Sequence, residues 1–363
     1  MKFSVTKEHL NTALKRAMCA ISPRVTFPIL NNFLLEAKDD RLIVTASDLE
    51  ISVRTSVPAL VEEEGQTTLP AKKLAQIAGA FPGGDVYFIC DEDEISSLSC
   101  QKSNYKLRGL DASQFPPLGD FEEVWSFTLP TNELVRSIAK VSYARSSDET
   151  RKQLNGVLFS VRNAVLTIAA TDGRRLALME KPLPDATVTD GDVILPNKAS
   201  TELARGLDGD GDVKVRLNQA CVVFETLDTV IMTKLVEGTY PNFRQVIPEN
   251  FTRSVAIPRI NFSDALNRVS MVVSDSSAAV RLQLSEGQLV VSASSPDVGE
   301  ASEPVDVSYE GEPVTISFNP LFFNEPLKYL DCDQMIMQFK DDYSPVVISG
   351  DEGFLYVLMP MRG

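Results

Sequence analysis

The chain has 363 residues, with 35 Lys and Arg against 50 Asp and Glu, a formal net charge of −15, 44% hydrophobic and 23% charged residues. That length exceeds one ordinary core and suits two or three domains, and the composition excludes a disordered or fibrous protein. The acidic excess argues against a protein that coats nucleic acid over its whole surface, although charge can be segregated by face.

In chain order, "FSVTKEHLNTALKRA" from Phe3 predicts a short strand followed by an amphipathic helix that buries Leu10, Ala13, Leu14 and Ala17. "ILNNFLLEAKDDRLIVTASD", ending at Asp48, predicts a hairpin; "LPAKKLAQIAGAF" predicts a strand end and a second helix; "LDASQFPPL" closes the segment. The pattern then restarts. "FTLPTNELVRSIAKV" from Phe127 carries the stripe Leu134, Ser137, Ile138 and Val141, and "QLNGVLFSVRNAVLTIAATD" matches the first hairpin at a constant offset of 124 positions. "LPNKASTELARGL" and "VEGTYPNF" complete the second copy. A third opens at Val255 with "VAIPRINFSDALNRV", whose stripe is Phe262, Ala265, Leu266 and Val269. It continues through "VRLQLSEGQLVVSASSPD" and "FNPLFFNEPLKYL" to a terminal "FLYVLMPMRG". The expected fold is α+β, three tandem copies of a two-helix, antiparallel-sheet domain at 1–124, 125–249 and 250–363. Trp125 falls at the first junction, where packing is its expected role.

"TDGRR" at Thr171 invites an active-site reading, but Asp-Gly is also an ordinary way to turn a chain. Asp48 and Asp172 occupy equivalent places and the third copy has Ser295 nearby, so a turn that ends a strand is expected rather than a shared catalytic carboxylate. The one histidine, His9, leaves almost no material for His-based catalysis, and no Walker, GxSxG or dinucleotide motif is present, so no enzyme and no cofactor are expected. Five cysteines without a CxxC pair suit reduced thiols rather than a metal site. "LDGDGDV" at Leu207 imitates a calcium loop, but Val213 and Gln219 stand where such loops carry other residues, and a loop after the second helix is expected. "MKFSVTKEHL" has no apolar leader core and no later run reaches bilayer length, so a cytoplasmic protein is expected.

Arg16, Lys140 and Arg268 fall at one position of the three first helices, with Lys15 and Arg136 nearby. The second helices add Lys72, Lys73, Lys198, Arg205 and Lys328. An ordinary solvated face is one account of these charges; a basic surface that meets a polyanion through its phosphates is the other. No helix-turn-helix, finger or RNP signature accompanies them.

With "MKFSV", "PIL" at Pro28, "SDLE" at Ser47, "LNG" at Leu154, "ATDGRRLA" at Ala170, "KLVEGTYPNFRQVIP" at Lys234 and the terminal "MPMRG", the chain resembles the bacterial DNA sliding-clamp family, the beta subunit of DNA polymerase III, over essentially its whole length. The resemblance implies a head-to-tail homodimer forming a six-domain ring, helices inside and sheets outside, that encircles duplex DNA without sequence specificity and gives the replicative polymerase its processivity. It implies DNA contacts at Arg24, Lys72, Lys73, Lys198, Arg151, Lys152 and Gln153, beside the in-register Arg16, Lys140 and Arg268. It implies a pocket for short clamp-binding peptides of the polymerase, the clamp loader, other polymerases and repair proteins. Its lining by position is Leu154, Thr171, Gly173, Arg174, Leu176, Pro241, Val246, Asn319, Phe322, Tyr343, Val346, Val357, Met359, Pro360, Met361 and Arg362, an apolar groove suited to Leu and Phe side chains. It implies a dimer seam at Tyr105 and Leu107 on one side and Val272 and Val273 on the other. Arg174, Gln245, Phe322 and the final Gly363 depart from residues common in the family, which bears on peptide preference.

Overall fold

The computed structural model describes all residues except 23–26, 120, 185–188, 208–209, 275–278 and 362–363. It divides into two compact units, the first of Met1–Val135, Leu183–Thr189 and Lys198–Val236, the second of Arg136–Pro182, Asp190–Asn197 and Glu237–Gly363. These do not follow the three sequence repeats, and the reason lies in strand pairing.

The first unit holds a five-stranded antiparallel sheet and an eight-stranded one. In the larger sheet Ile51–Pro58, from the first repeat, pairs with Thr229–Lys234, from the second, in the register Thr55↔Thr229 and Val53↔Ile231. The Thr55 and Thr229 hydroxyls meet at 2.8 Å in the interior of this joint. The second unit repeats the device: its eight-stranded sheet joins Arg175–Pro182 to Phe354–Leu358 in the register Leu176↔Val357 and Ala177↔Tyr356, and a four-stranded sheet accompanies it. A continuous ladder satisfies edge N–H and C=O groups that each repeat alone would leave unpaired.

Among the described residues six helices pack on these sheets: α1 Lys7–Ala17, α2 Ala71–Ala80, α3 Thr131–Ser142, α4 Asn197–Gly206, α5 Arg259–Val269 and α6 Pro320–Leu327. The Thr6 hydroxyl caps α1 by accepting the His9 N–H at 3.2 Å, satisfying one of the donors that a helix start leaves orphaned. Every residue of the three expected stripes is buried: Leu10, Ala13, Leu14 and Ala17 in α1; Leu134, Ser137, Ile138 and Val141 in α3; Phe262, Ala265, Leu266 and Val269 in α5. Each large member contributes roughly 1.5–3 kcal/mol by leaving water. Each second helix follows a strand as expected, and α6, the shortest, carries Pro326 inside it, whose missing N–H leaves the Phe322 carbonyl to accept the Tyr356 hydroxyl.

Trp125 opens the strand Trp125–Pro130, half-buried, with its ring 6.1 Å from Phe127. The calcium-like loop falls partly outside the described residues, at 208 and 209, but Val213 is wholly buried in the strand Asp212–Leu217. Among the described residues no group of three His, Cys, Asp or Glu side chains is placed to hold a metal ion, and no helix is long and apolar enough to cross a membrane.

Candidate functional site

The strands Val165–Thr171 and Arg175–Pro182 are joined by the "TDGRR" turn. Asp172 Oδ1 accepts the N–H groups of Arg174 and Arg175 at 2.8 and 3.1 Å, and Thr171 Oγ1 accepts that of Gly173 at 3.1 Å. Gly173 takes φ +91°, a left-handed conformation that costs glycine little. The first repeat builds the same turn: Asp48 Oδ1 accepts from Glu50 and Ile51 at 3.0 and 2.9 Å, Ser47 Oγ accepts from Leu49 at 3.1 Å, and Leu49 takes φ +73°. Ser295 Oγ does related work in the third, accepting the Asp297 N–H at 3.4 Å. These carboxylates cap turns, and the repeat offset is the offset of a backbone motif.

What distinguishes the second turn is Arg175, which sequence reasoning did not single out. Its side chain is buried, with Nε 3.1 Å from Asp172 Oδ2 and Nη2 donating to the Tyr143 carbonyl at 2.7 Å. Nη1 donates to the Glu325 carboxylate in α6, and the guanidinium lies 4.2 Å over the Phe322 ring and 5.8 Å from that of Tyr143. Burial would lower its pKa, but Tyr356, Glu325 and Asp172 outweigh that and raise it, so the cation is fixed. Burial likewise holds the Tyr143 and Tyr356 hydroxyls well above the ordinary phenol range, and the Tyr356 hydroxyl donates to the Phe322 carbonyl at 2.7 Å. The two sides of the candidate pocket are thus tied by one planar fork, a geometry that Lys cannot reproduce.

Several of the expected lining residues lie on the strands and helix that this tie joins. Leu176 pairs with Val357, and Val346 with Leu358, in the shared sheet. The Met359 N–H donates to the Arg174 carbonyl at 3.0 Å, and the Met361 N–H to the Ser317 carbonyl at 2.7 Å, on the strand that leads into Asn319 and Phe322. The Asn319 side chain caps α6 by accepting the Leu321 N–H at 2.9 Å. Tyr240, whose hydroxyl accepts the Thr171 N–H at 3.1 Å, holds the neighbouring Pro241 beside the turn. Among the expected lining residues, Val246 (54%), Tyr343 (69%), Met359 (45%) and Met361 (37%) expose apolar side chains, as does Leu321 (68%) between Asn319 and Phe322. Leu154 and Pro360 are half-buried, Gly173 and Arg174 exposed, while Arg362 lies outside the described residues.

Of the expected DNA contacts, Lys72 and Lys73 are exposed on α2, opposite buried Ala71, Leu74 and Ala78. Arg151 and Lys152 are exposed and Gln153 half-buried in the loop after α3. Arg16 is half-buried, and Arg24 lies outside the described residues. Lys198 pairs with Asp48, and Arg268 makes two hydrogen bonds to Glu303 at 2.9 and 2.5 Å. Lys140 departs from the expectation. Its side chain is 9% exposed, and its ammonium is held by Asp351 and, at 3.1 Å, by Asp331. It fastens α3 to a turn of the third repeat instead of facing solvent, because two acids some two hundred positions downstream in the chain fold over it.

Tyr105 lies on Ser103–Arg108, an edge strand of the five-stranded sheet, 40% exposed and edge-on to Phe81 at 5.6 Å. Leu107 on the same strand is half-buried, as are Val272 and Val273 in the turn after α5. Such an unpaired row of backbone groups is open to a further strand.

Three family models match the chain in succession: the N-terminal domain of the DNA polymerase III beta subunit over residues 1–119, its central domain over 128–242 and its C-terminal domain over 244–362. The beta sliding clamp of Escherichia coli K12 is 34% identical over 367 residues, covering 100% of both chains, and that of Chlamydia muridarum is 30% identical over 362, covering 100% of this chain and 99% of its own. A Pseudomonas aeruginosa sliding clamp solved with bound griselimycin superposes with TM-score 0.92 at 30% identity, covering 100% of each chain. The Thermotoga maritima beta subunit gives 0.91 at 29%, covering 100% of this chain and 99% of that one.

Proposed function

The chain belongs to the DNA polymerase III beta subunit family and is a DNA sliding clamp, a processivity factor rather than an enzyme; on that premise we propose how its residues do the work. Two copies join head to tail through the Tyr105 and Leu107 strand of one and the Val272 and Val273 turn of the other. A heterologous contact closes into a ring only when its rotation closes, and six domains, bounded at 1–124, 125–249 and 250–363 in each copy, satisfy that. Helices line the hole, and Arg16, Lys72, Lys73, Lys198, Arg268 and the Arg151–Gln153 loop contact phosphates of the enclosed duplex.

Attachment is then topological. Phosphate contacts carry no sequence information, so a weak basic lining centres the duplex while the net charge of −15 discourages binding elsewhere. The groove around Arg175 takes short peptides from the polymerase, the clamp loader and repair proteins, and the protein works in the cytoplasm. The observation that carries this reading is the unbroken run of three beta-subunit domains along one chain. Its test is to load the protein onto a nicked circular plasmid with a bacterial clamp loader and ATP, cut the circle, and follow retention at moderate salt. Retention on circles with loss from linear DNA is expected; equal retention on both would refute a topological hold.

A further inference from the structure

The segment Ser146–Asn155 carries both the DNA-facing loop and one wall of the peptide pocket, and it closes on itself. The Ser146 N–H donates to the Leu154 carbonyl at 2.8 Å, and the Leu154 and Asn155 N–H groups donate to the Arg151 carbonyl at 2.9 and 3.1 Å. The Asn155 side chain donates back to the Ser146 carbonyl at 2.9 Å. Gln153 packs so closely on Gly238 that a Cβ there would sit 2.6 Å from its Nε2.

The Arg151 side chain is folded inward over this loop. Its Nε is 3.3 Å from Asp148 Oδ2, its Nη2 donates to Ser146 Oγ at 3.1 Å, and its Nη1 stands 3.8 Å from where a Cβ on Gly173 would be. One guanidinium therefore borders the pocket turn and belongs to the group assigned to phosphate. The side chain is 48% exposed, so an outward rotamer is open to it.

We propose that Arg151 couples the two sites. A peptide seated against Leu154 and Gly173 displaces the guanidinium from the turn, takes it off Asp148, and leaves it turned outward for a phosphate. Pocket occupancy then tightens the hold on DNA, and DNA tightens the hold on peptide by the same factor, because coupling between binding free energies is reciprocal. The bistable element is this side chain, inward on Asp148 or outward on phosphate. The inference rests on the assignment of pocket and loop made under Proposed function.

The test is a binding cycle with the full chain: anisotropy of a labelled short linear duplex, whose open ends admit a closed ring, titrated at low salt with and without a saturating synthetic peptide bearing a Leu-Phe pair. Peptide is expected to tighten duplex binding by about threefold, the scale of one exposed ion pair. R151A is expected to remove that gain and reduce the salt slope by about one. D148N, which releases the guanidinium without removing it, is expected to bind duplex more tightly before peptide is added and to gain less from it. If both ligands bind but peptide leaves duplex affinity unchanged or weakens it, or if R151A keeps the full gain, the coupling is refuted. If peptide or duplex fails to bind at all, the assignment of pocket and loop falls and takes the coupling with it.

Discussion

Replacing Arg175 with Met keeps most of the side chain's length and removes its charge. In the folded protein the guanidinium serves Asp172, Glu325 and the Tyr143 carbonyl, and hydrogen bonds to charged groups contribute roughly 1.5–3 kcal/mol each. Their sum overstates the loss, because burying the cation has already cost several kcal/mol. The two carboxylates left behind differ in access to water: the Asp172 side chain is 16% exposed and that of Glu325 32%, so Glu325 rehydrates more readily. Weighing these, R175M is expected to lose about 3 kcal/mol locally, and R175K, which retains charge without the fork, about half that. Tryptophan fluorescence is a poor assay, since the single Trp, Trp125, belongs to the first unit. Hydrogen exchange at the Arg174 and Arg175 amides, both bonded to Asp172 Oδ1, reads the site directly and is expected to quicken by about 10²-fold in R175M. Peptide affinity is expected to fall with it, because Phe322 loses the cation under its ring. Exchange that changes less than about fivefold, with unaltered peptide binding, would refute the view of Arg175 as the tie across the pocket.

Further outcomes follow from other contacts. K140M is expected to lose about 2–3 kcal/mol rather than the larger cost of an abandoned buried charge, because Asp351 still accepts the Asp331 and Cys332 N–H groups; urea unfolding measures it. Burial raises the pKa of Asp351, but Lys140 and those N–H groups prevail and hold it below 3.8, so its contribution is full above that value and is lost as pH falls through the depressed one. D351N should accordingly flatten the acid limb of the stability profile. Gly353 sits at φ +76°, and a Cβ there would lie 2.2 Å from the Glu180 carbonyl oxygen, so G353A is expected to cost at least about 2 kcal/mol, whereas G173A, with no such clash, should cost about 1 by thermal melts. Burial pushes the Cys19 thiol up to about 12, so native alkylation at mild alkaline pH should spare Cys19 and label half-buried Cys221 and Cys332 first, as peptide mass spectrometry would show.

Much of this is legible in the sequence because it is local. Helical spacing alone locates twelve stripe residues, and the 124-position offset locates equivalent turns down to the Ser47 and Thr171 hydroxyls that cap them. Lys140 misleads for the complementary reason. Its register with Arg16 and Arg268 is a property of the helix, whereas its burial depends on Asp331 and Asp351, whose approach no local period encodes. Arg175 hides behind its neighbour: Arg174 lies in the turn and is exposed, Arg175 opens the strand and is buried, and only the partners at Tyr143 and in α6 reveal the tie. The mismatch between repeats and compact units has the same origin, since strand pairing across repeats leaves no mark in either repeat alone.

That pairing has a consequence during synthesis. Thr55 waits for Thr229, 174 positions later, before its strand is complete. At roughly 5–20 residues per second the ribosome needs on the order of 10–35 seconds to deliver the partner. Throughout that interval the nascent first repeat presents a bare strand to every other chain nearby. Arg54 projects from that strand, paired with Glu36 at 3.7 Å, and a charge so placed deters a stranger's strand while the rightful one is still being made.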